Sequence, residues 1–445
     1  MKVIVIGGGP AGMAAAVAAK EQGAGEVVLA ERYSYLGGVL PQCIHNGFGT
    51  QLFHEDYTGG EYAWIWWKKA EAAGVRILLN TSALGIERKG RKWYVKCVRA
   101  DYGTCVLEGD AVIAATGCRE RTLPQMLIPG SRPSGVFTAG SAQLMMNIKN
   151  YLPGKTAVIL GSGDIGLIMA RRMALEGIRV KLILGQEATG LARNIVQCVQ
   201  DFQIPMRYGW TVISTHGYKR MKGVTIAPLK EDGSPDREKK EYIACDTLLV
   251  ATGLIPELEV CGSYVPGEEE GLFVCGNAHY VHDLVDHVTE EALRIGRRAA
   301  GASGEGASEA AAQNASEAAN PNAFVPAQPS EKKGNMVCTV CPKSCRMQVE
   351  QEPFCVSGND CRRGETFARQ ELENPKRVVT AVVGTDRKDV PVLSVRTDGA
   401  VEQCQIFPIM EEIKKIRVKG TIVPGQQIAQ NVAGTGVNLI ATWKL

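Results

Sequence analysis

The feature that most limits what this chain can fold into lies in its first thirty-one residues. Lys2–Ile6 is a short, apolar, β-branched run, the pattern of a parallel strand buried on both faces. It opens into Gly7-Gly8-Gly9-Pro10-Ala11-Gly12. An Ala-rich helix is expected over 13–22 and a second apolar strand over 26–30. Glu31 then stands nineteen positions after Gly12. Strand, glycine turn, helix, strand and acid make up a dinucleotide-binding unit. Gly7 allows the tight turn, Gly9 lets the backbone approach a pyrophosphate, and Gly12 lets the helix close on the strand. The helix N-terminus, with Pro10 and Ala11, faces the phosphates, and Glu31 can accept from ribose hydroxyls. Arg32 and Gly38, just beyond the acid, join the cofactor-binding candidates.

The unit recurs. A strand over 156–160 leads into Gly161-Ser162-Gly163-Asp164-Ile165-Gly166, a helix over 167–176 and a strand over 179–184. Each fingerprint is followed by a buried strand that runs into Ala-Thr-Gly, at 115–117 and again at 251–253. This internal duplication implies two nucleotides. The two copies differ at the ribose position. Glu31 suits an unphosphorylated 2′-hydroxyl, as in FAD or NAD. Twenty residues past Gly166 stands Gln186, so discrimination against NADP is missing there. Arg171, Arg172 and Arg193 are candidates to receive a 2′-phosphate, which tilts the second site toward NADPH.

Between and beyond the fingerprints, a helix is expected over 61–73, carrying Trp64, Trp66 and Trp67 as packing residues. A strand follows over 75–79, then an antiparallel excursion over 91–107. A strand and turn over 271–277 and a helix over 283–300 close this part. The length of 445 residues suits two or three domains. A net charge of +3 and the lack of a long apolar run exclude nucleic acid and a membrane span as expected partners. A strand starting at residue 2 leaves no room for a signal peptide, so the protein is expected in the cytoplasm. There the 14 cysteines are expected as ligands or redox groups, not as structural disulfides.

Residues 301–335 lack large apolar side chains and read as a disordered linker. Residues 336–445 read as a small α+β unit, with strands over 378–383, 390–395, 417–423 and 437–443 and a helix over 406–416. Cys338-x2-Cys341-Pro342-x2-Cys345 and Cys361 form its main chemical signal, with Cys355 in reserve. Soft thiolates at this spacing hold either zinc or an iron–sulfur cluster.

GGGPAG with Glu31, Ala115-Thr116-Gly117, GSGDIG, Ala251-Thr252-Gly253 and GLFVCGN together resemble the pyridine nucleotide–disulfide oxidoreductase superfamily, over about residues 1–300. The resemblance implies an α/β fold of two Rossmann-like dinucleotide-binding domains, the second inserted in the first, with the small cysteine-rich α+β domain added. FAD would take 1–150 and 251–300, touching Gly7, Gly9, Gly12, Glu31, Thr116, Gly117, Gly276 and Asn277. NAD(P)H would take 151–250, at Gly161, Gly163, Asp164, Ile165 and Gly166, with Gly253 next to it. The family closes on Gly-Asp; this chain has Gly276-Asn277, whose amide still bonds a hydroxyl. The helix near residue 283 would aim its N-terminus at the flavin. His279, His282 and His287, with Asp283 and Asp286, cluster at that helix start and read as a flavin-site group in preference to a metal site.

The departures from the family matter equally. Glutathione-type reductases carry CxxxxC after the FAD acid, where this chain has only Cys43. Thioredoxin reductases carry CxxC in the nicotinamide domain, where this chain has only the distant Cys198 and Cys245. A dithiol relay is therefore not expected. Cys43 with His45 is the catalytic candidate pair, as in the single-cysteine branch that reduces peroxides and small disulfides; otherwise Cys43 lines the flavin pocket. The run CxxCPxxC…GNxCxRG resembles the [4Fe–4S] segment of molybdopterin oxidoreductases, which favours a cluster over zinc at Cys338, Cys341, Cys345 and Cys361. The whole resembles a bacterial group that accompanies FAD-dependent glycerol-3-phosphate or 2-hydroxy-acid dehydrogenases, so a partner subunit of that kind is implied. Three functions follow as expectations. The first is electron transfer from NAD(P)H through FAD to an Fe–S centre or partner. The second is a Cys43-based reductase with a zinc docking domain. The third is a non-catalytic FAD-binding accessory or redox-sensing subunit.

Overall fold

Val3–Ile6 is apolar on both faces because the strand Lys2–Ile6 is the middle one of a five-stranded parallel sheet. The order is Leu272–Val274, Ala111–Ala114, Lys2–Ile6, Glu26–Ala30, Arg76–Leu78, with Ile4 paired to Val28 on one side and Val112 on the other. The computed structural model describes residues 1–301, 333–341 and 343–445. The linker expected over 301–335 lies almost wholly outside them. The chain divides into two compact units. The first is Met1–Arg119 with 254–301; the second is 120–253 with the described residues from 333 onward.

In the first unit the Ala-rich helix spans Pro10–Glu21. It starts earlier than expected because proline is tolerated at the first helical position, where its fixed φ fits and its missing N–H is not needed. The helix Val285–Ala300 packs on it at Gly296, where a Cβ would lie 2.2 Å from the Ala15 carbonyl oxygen. The antiparallel excursion is a three-stranded meander, Thr81–Lys89, Lys92–Arg99 and Gly103–Gly109. Its first strand escaped the sequence pattern because a bulge between Ala83 and Gly85 breaks the alternation. The inner face, including Trp93, Val95 and Cys97, packs on Ile4 and Ile6 of the main sheet.

The second unit contains another five-stranded parallel sheet: Val136–Thr138, Thr247–Val250, Thr156–Leu160, Arg179–Gly185, Met206–Tyr208. Its spatial order repeats that of the first sheet. The edge strand beside the Ala-Thr-Gly strand comes after the fingerprint in the first sheet and before it in the second. Residues 120–150, read from the sequence with the first nucleotide domain, therefore supply the second sheet's edge strand and the helix Ala139–Asn147.

The C-terminal strands form a five-stranded sheet, Arg417–Val418, Thr380–Thr385, Val392–Thr397, Leu439–Ala441, Gln427–Ala429, with helix Ile406–Ile413. Its core takes in Leu175 from the nucleotide fold, and Phe202 meets Phe407 edge-on, ring centroids 6.1 Å apart. Arg377, 3% exposed, joins the two parts electrostatically. It donates from Nε to Asp201 at 2.6 Å and from Nη2 to Glu371 at 2.6 Å. Burial opposes its charge, but the two carboxylates outweigh that and raise its pKa. No helix among the described residues is long and apolar enough to cross a membrane. Replacing Arg377 by Met strands two carboxylates against each other. A loss of about 3–5 kcal/mol is expected, read as a lowered urea midpoint for the second unit. An unchanged midpoint would show that the clamp carries no stability.

Candidate functional site

The first glycine turn is built as the fingerprint requires. Gly7 sits at φ +105°, and a Cβ there would lie 2.4 Å from the Ala115 carbonyl oxygen. A Cβ on Gly12 would lie 1.8 Å from the Gly7 carbonyl oxygen, so no side chain is admissible. Gly9 and Gly38 face each other closely: a Cβ on Gly38 would lie 3.1 Å from the Gly9 Cα. No side chain caps the helix that begins at Pro10 and Ala11, which leaves its first amides to an anion. Glu31 is buried at the end of its strand. One oxygen accepts from the Gly8 amide at 2.6 Å and the other from the Tyr33 amide at 2.8 Å. A carboxylate has about four lone-pair sites, so ribose hydroxyls can still be accepted. Arg32 is exposed, its guanidinium 5.0 Å from the Tyr33 ring centroid. Thr116 donates from Oγ1 to the Glu257 carbonyl, and Gly117 takes φ +76°.

At the far end of the same unit, Gly276 takes φ +65°, and a Cβ there would press on Ala11 at 2.6 Å. Asn277 uses its Oδ1 to accept from the His282 amide at 3.1 Å. Glu291, which the sequence reading missed, gathers this segment. Its carboxylate accepts from the Gly276 amide at 2.8 Å, His279 Nδ1 at 2.5 Å and His282 Nε2 at 2.9 Å. Burial opposes its ionisation, but the hydrogen bonds from His282, His279 and Gly276 hold its carboxyl below the ordinary range. The signal was present: an acid on the buried helix face shared with Val288, Ala292 and Gly296. His287 turns instead to Gln51, 3.1 Å away.

Three buried polar atoms here, Asn46 Oδ1, Thr50 Oγ1 and Asp286 Oδ1, have no hydrogen-bond partner among the described residues. The other Asp286 oxygen accepts from the Gln51 amide at 2.9 Å. Tyr62 bonds Thr289 at 2.8 Å, and burial pushes its phenol pKa up. Orphaned buried polar groups are rare and fit a site that a polar cofactor ring completes. Cys43 is nearly buried; its Sγ donates to the Val39 carbonyl at 3.4 Å. Its carbonyl accepts from the Gly59 amide at 2.9 Å, at the start of helix Gly59–Ala72. His45 places Nδ1 3.0 Å from the Asn46 carbonyl and tilts its ring against Phe48.

The second turn repeats the first. Gly161 sits at φ +120° with a would-be Cβ 2.0 Å from the Ala251 carbonyl oxygen, and Gly166 closes on Gly161. Gly163 caps the helix Asp164–Leu175, in which Ile165 is half-buried. Gly253 takes φ +111°. Asp164 accepts from the Leu191 amide at 2.7 Å and Asn194 Nδ2 at 2.8 Å, and Ser162 donates to the Glu187 carbonyl at 2.5 Å. The segment after the second strand is thereby tied to the turn. Two arginines are not available for a 2′-phosphate. Arg171 donates to the Val378 carbonyl at 3.0 Å, and buried Arg172 donates to Asn147 and pairs with Glu176. The C-terminal domain covers the helix face that the sequence left open.

The C-terminal cysteines lie around a small sheet, Lys333–Val337, Arg346–Gln351 and Phe354–Ser357, followed by helix Arg362–Glu373; of the five, only Cys355 is on a strand. The Cys338 amide donates to the Cys345 carbonyl at 2.9 Å. Cys361 caps the helix, and hydrogen bonds from the Arg363 side chain and amide lower its thiol pKa. Cys338 is raised by burial, and the charges of Cys341, Cys345 and Cys361 add to this. Cys355 is exposed on its strand. Among the described residues, however, no three Cys, His, Asp or Glu side chains meet in an arrangement that could hold a metal ion. Donor chemistry fits a soft metal or cluster.

The Glu291 network has a pH signature. Its folded carboxyl lies below the ordinary 4.5, so its contribution is complete above pH 4.5 and lost as pH falls through the folded value. Glu291→Gln is expected to cost about 1.5–3 kcal/mol near neutrality. Urea midpoints of variant and parent should converge in acid. A constant difference at all pH values would rule out the charged network.

Residues 1–283 match the family model of the pyridine nucleotide-disulphide oxidoreductases, and residues 362–443 match a protein of unknown function, DUF1667. A component of hydrogen cyanide synthase, HcnB of Pseudomonas protegens, is 29% identical over 282 residues, 58% of this chain and 57% of that protein. An opine oxidase component of Agrobacterium tumefaciens is 31% identical over 207 residues, 45% of this chain and 40% of that one. The chain thus spans about half the length of these curated relatives. Lactococcus lactis thioredoxin reductase shares the fold, with a TM-score of 0.54 at 19% identity over 68% of this chain and 98% of that one. Two glycine turns on two parallel sheets, and a family match over most of the chain, place it in the pyridine nucleotide-disulphide oxidoreductase family.

Proposed function

We propose that this chain, an FAD-dependent NAD(P)H oxidoreductase by family, passes electrons from NAD(P)H through FAD toward its C-terminal cysteines and a partner dehydrogenase subunit. The observation that carries this reading is the packing of the C-terminal domain, by way of Arg377 and Leu175, on the fold that bears the second glycine turn. FAD would sit on Gly7, Gly9, Pro10, Ala11, Gly12 and Glu31, with Arg32, Gly38, Thr116 and Gly117 around it and Gly276-Asn277 along its chain. NAD(P)H would sit on Gly161, Gly163, Asp164, Ile165 and Gly166, with Gly253 beside it. FAD supplies the exchange between a two-electron and a one-electron couple. The protein's part is to hold the carboxylate of Glu31 for the ribose, keep side chains out of the pyrophosphate path, and fix the 276–282 turn through Glu291.

Cys338, Cys341, Cys345 and Cys361 would hold a [4Fe–4S] cluster, or zinc in the docking-module version. Relatives named as subunits of hydrogen cyanide synthase and opine oxidase support a partner for this chain. An FAD-dependent glycerol-3-phosphate or 2-hydroxy-acid dehydrogenase is the class proposed, in the cytoplasm. Anaerobic titration with NADH and NADPH is expected to bleach a flavin absorbance band. No bleaching by either would overturn the reading. Iron, zinc and acid-labile sulfide analysis should find about four irons and four sulfides per chain for the cluster; one zinc would favour the docking module.

One observation favours a second reading, in which Cys43 with His45 reduces a peroxide or small disulfide. Cys43 lies beside the N-terminus of helix Gly59–Ala72, its carbonyl accepting from the Gly59 amide and its thiol donating to the Val39 carbonyl. Under the first reading, Cys43→Ser keeps NAD(P)H-dependent dye reduction and loses no acceptor activity. Selective loss of peroxide or disulfide reduction would establish the second.

A further inference from the structure

The spacing of the cysteines in residues 1–300 suggests no dithiol, yet strand pairing creates one. Cys97 lies on Lys92–Arg99 and Cys105 on Gly103–Gly109, and the antiparallel register sets them directly opposite each other. Both face the same apolar cluster as Trp93, Val95 and Leu107, and both are free thiols. The Cys97 thiol donates to the Val95 carbonyl at 3.7 Å. Directly opposed residues hold their Cβ atoms about 4.5–5.5 Å apart, and a disulfide needs about 3.5–4.5 Å, so a shift of about 1 Å closes the gap. The geometry allows that shift. Gly103–Gly109 is the edge strand of the meander, and the hairpin turns through Gly103 at φ +82° beside an exposed Tyr102.

We propose that Cys97 and Cys105 form a reversible cross-strand dithiol site whose substrate is a low-molecular-weight disulfide. The two thiols divide the work by exposure. Cys97 is buried, and burial together with the neighbouring Cys105 pushes its thiol up to about 11, so it does not initiate. Cys105 is half-buried, the more accessible of the two, and attacks. Its thiolate displaces one thiolate from the disulfide RSSR and forms a Cys105–S–S–R mixed disulfide. Cys97 then attacks the Cys105 sulfur and expels the second thiolate. The two protein protons pass to the two leaving thiolates. RSSR is reduced to two RSH, and the pair is oxidised to one cross-strand disulfide. This site is independent of Cys43 and of the C-terminal cysteines, and it does not rest on the electron path proposed above.

The test uses the full chain with bound flavin and oxidised glutathione as the probe. Trypsin cuts after Lys96, Arg99 and Arg119, so Cys97 falls on peptide 97–99 and Cys105 on peptide 100–119, where fragmentation of the linked pair distinguishes Cys105 from Cys118. The expected result is that linked peptide, with iodoacetamide labelling of Cys105 reduced about tenfold and restored by dithiothreitol. Cys97→Ser should stall with glutathione on Cys105, and Cys105→Ser should leave Cys97 unmodified. If the parent protein carries only a glutathione adduct on Cys105, or reacts at neither residue, the proposal fails. The parent result stands even if a variant does not fold, and retained flavin absorbance reports whether it does.

Discussion

Both halves of the nucleotide machinery depend on one contact. In each sheet the first fingerprint glycine turns at φ above +100° and presses against the carbonyl of the alanine in Ala-Thr-Gly: Gly7 on Ala115 and Gly161 on Ala251. The third glycine then closes on the first, Gly12 on Gly7 and Gly166 on Gly161, with the same alanine's Cβ as its other wall. Any side chain at these places would hold helix, turn and strand apart. The helix N-terminus and the acid of the next strand are both placed by it.

That dependence explains why the two glycine turns were legible in the residues. A turn that admits only glycine, between strands buried on both faces, leaves a pattern that few other structures produce. What depended on long-range topology was not legible. The strand Val136–Thr138 belongs to the second sheet because of where the chain goes next, and nothing in its three residues says so. Glu291 reads as one more acid on a helix until the turn Gly276–Ala278 is folded against it. Arg171 looked available because the sequence gives no sign that the C-terminal domain reaches that helix, and Arg172 because its partners Asn147 and Glu176 are set by the fold. The Cys97–Cys105 pairing is set by register across a hairpin, so no spacing motif announces it.

The way the C-terminal domain is attached is itself informative. Much of it could have joined the nucleotide fold through apolar contacts such as Leu175 and the Phe202–Phe407 pair alone. It also buries an arginine between two carboxylates, one from each side. Buried ion pairs add little net stability but penalise every arrangement that leaves one partner unmatched. Apolar surface sets how strongly the parts associate, and Arg377 sets which arrangement they take.

The reversed position of the edge strand bears on the order in which the chain can complete itself as it leaves the ribosome. The second sheet has all five strands once Val250 has emerged, drawn from one continuous segment. The first sheet holds four strands by Ala114 and gains its fifth only with Leu272–Val274. The half that opens the chain is therefore the later one to close, and its exposed edge beside Ala111–Ala114 waits through the synthesis of an entire second fold.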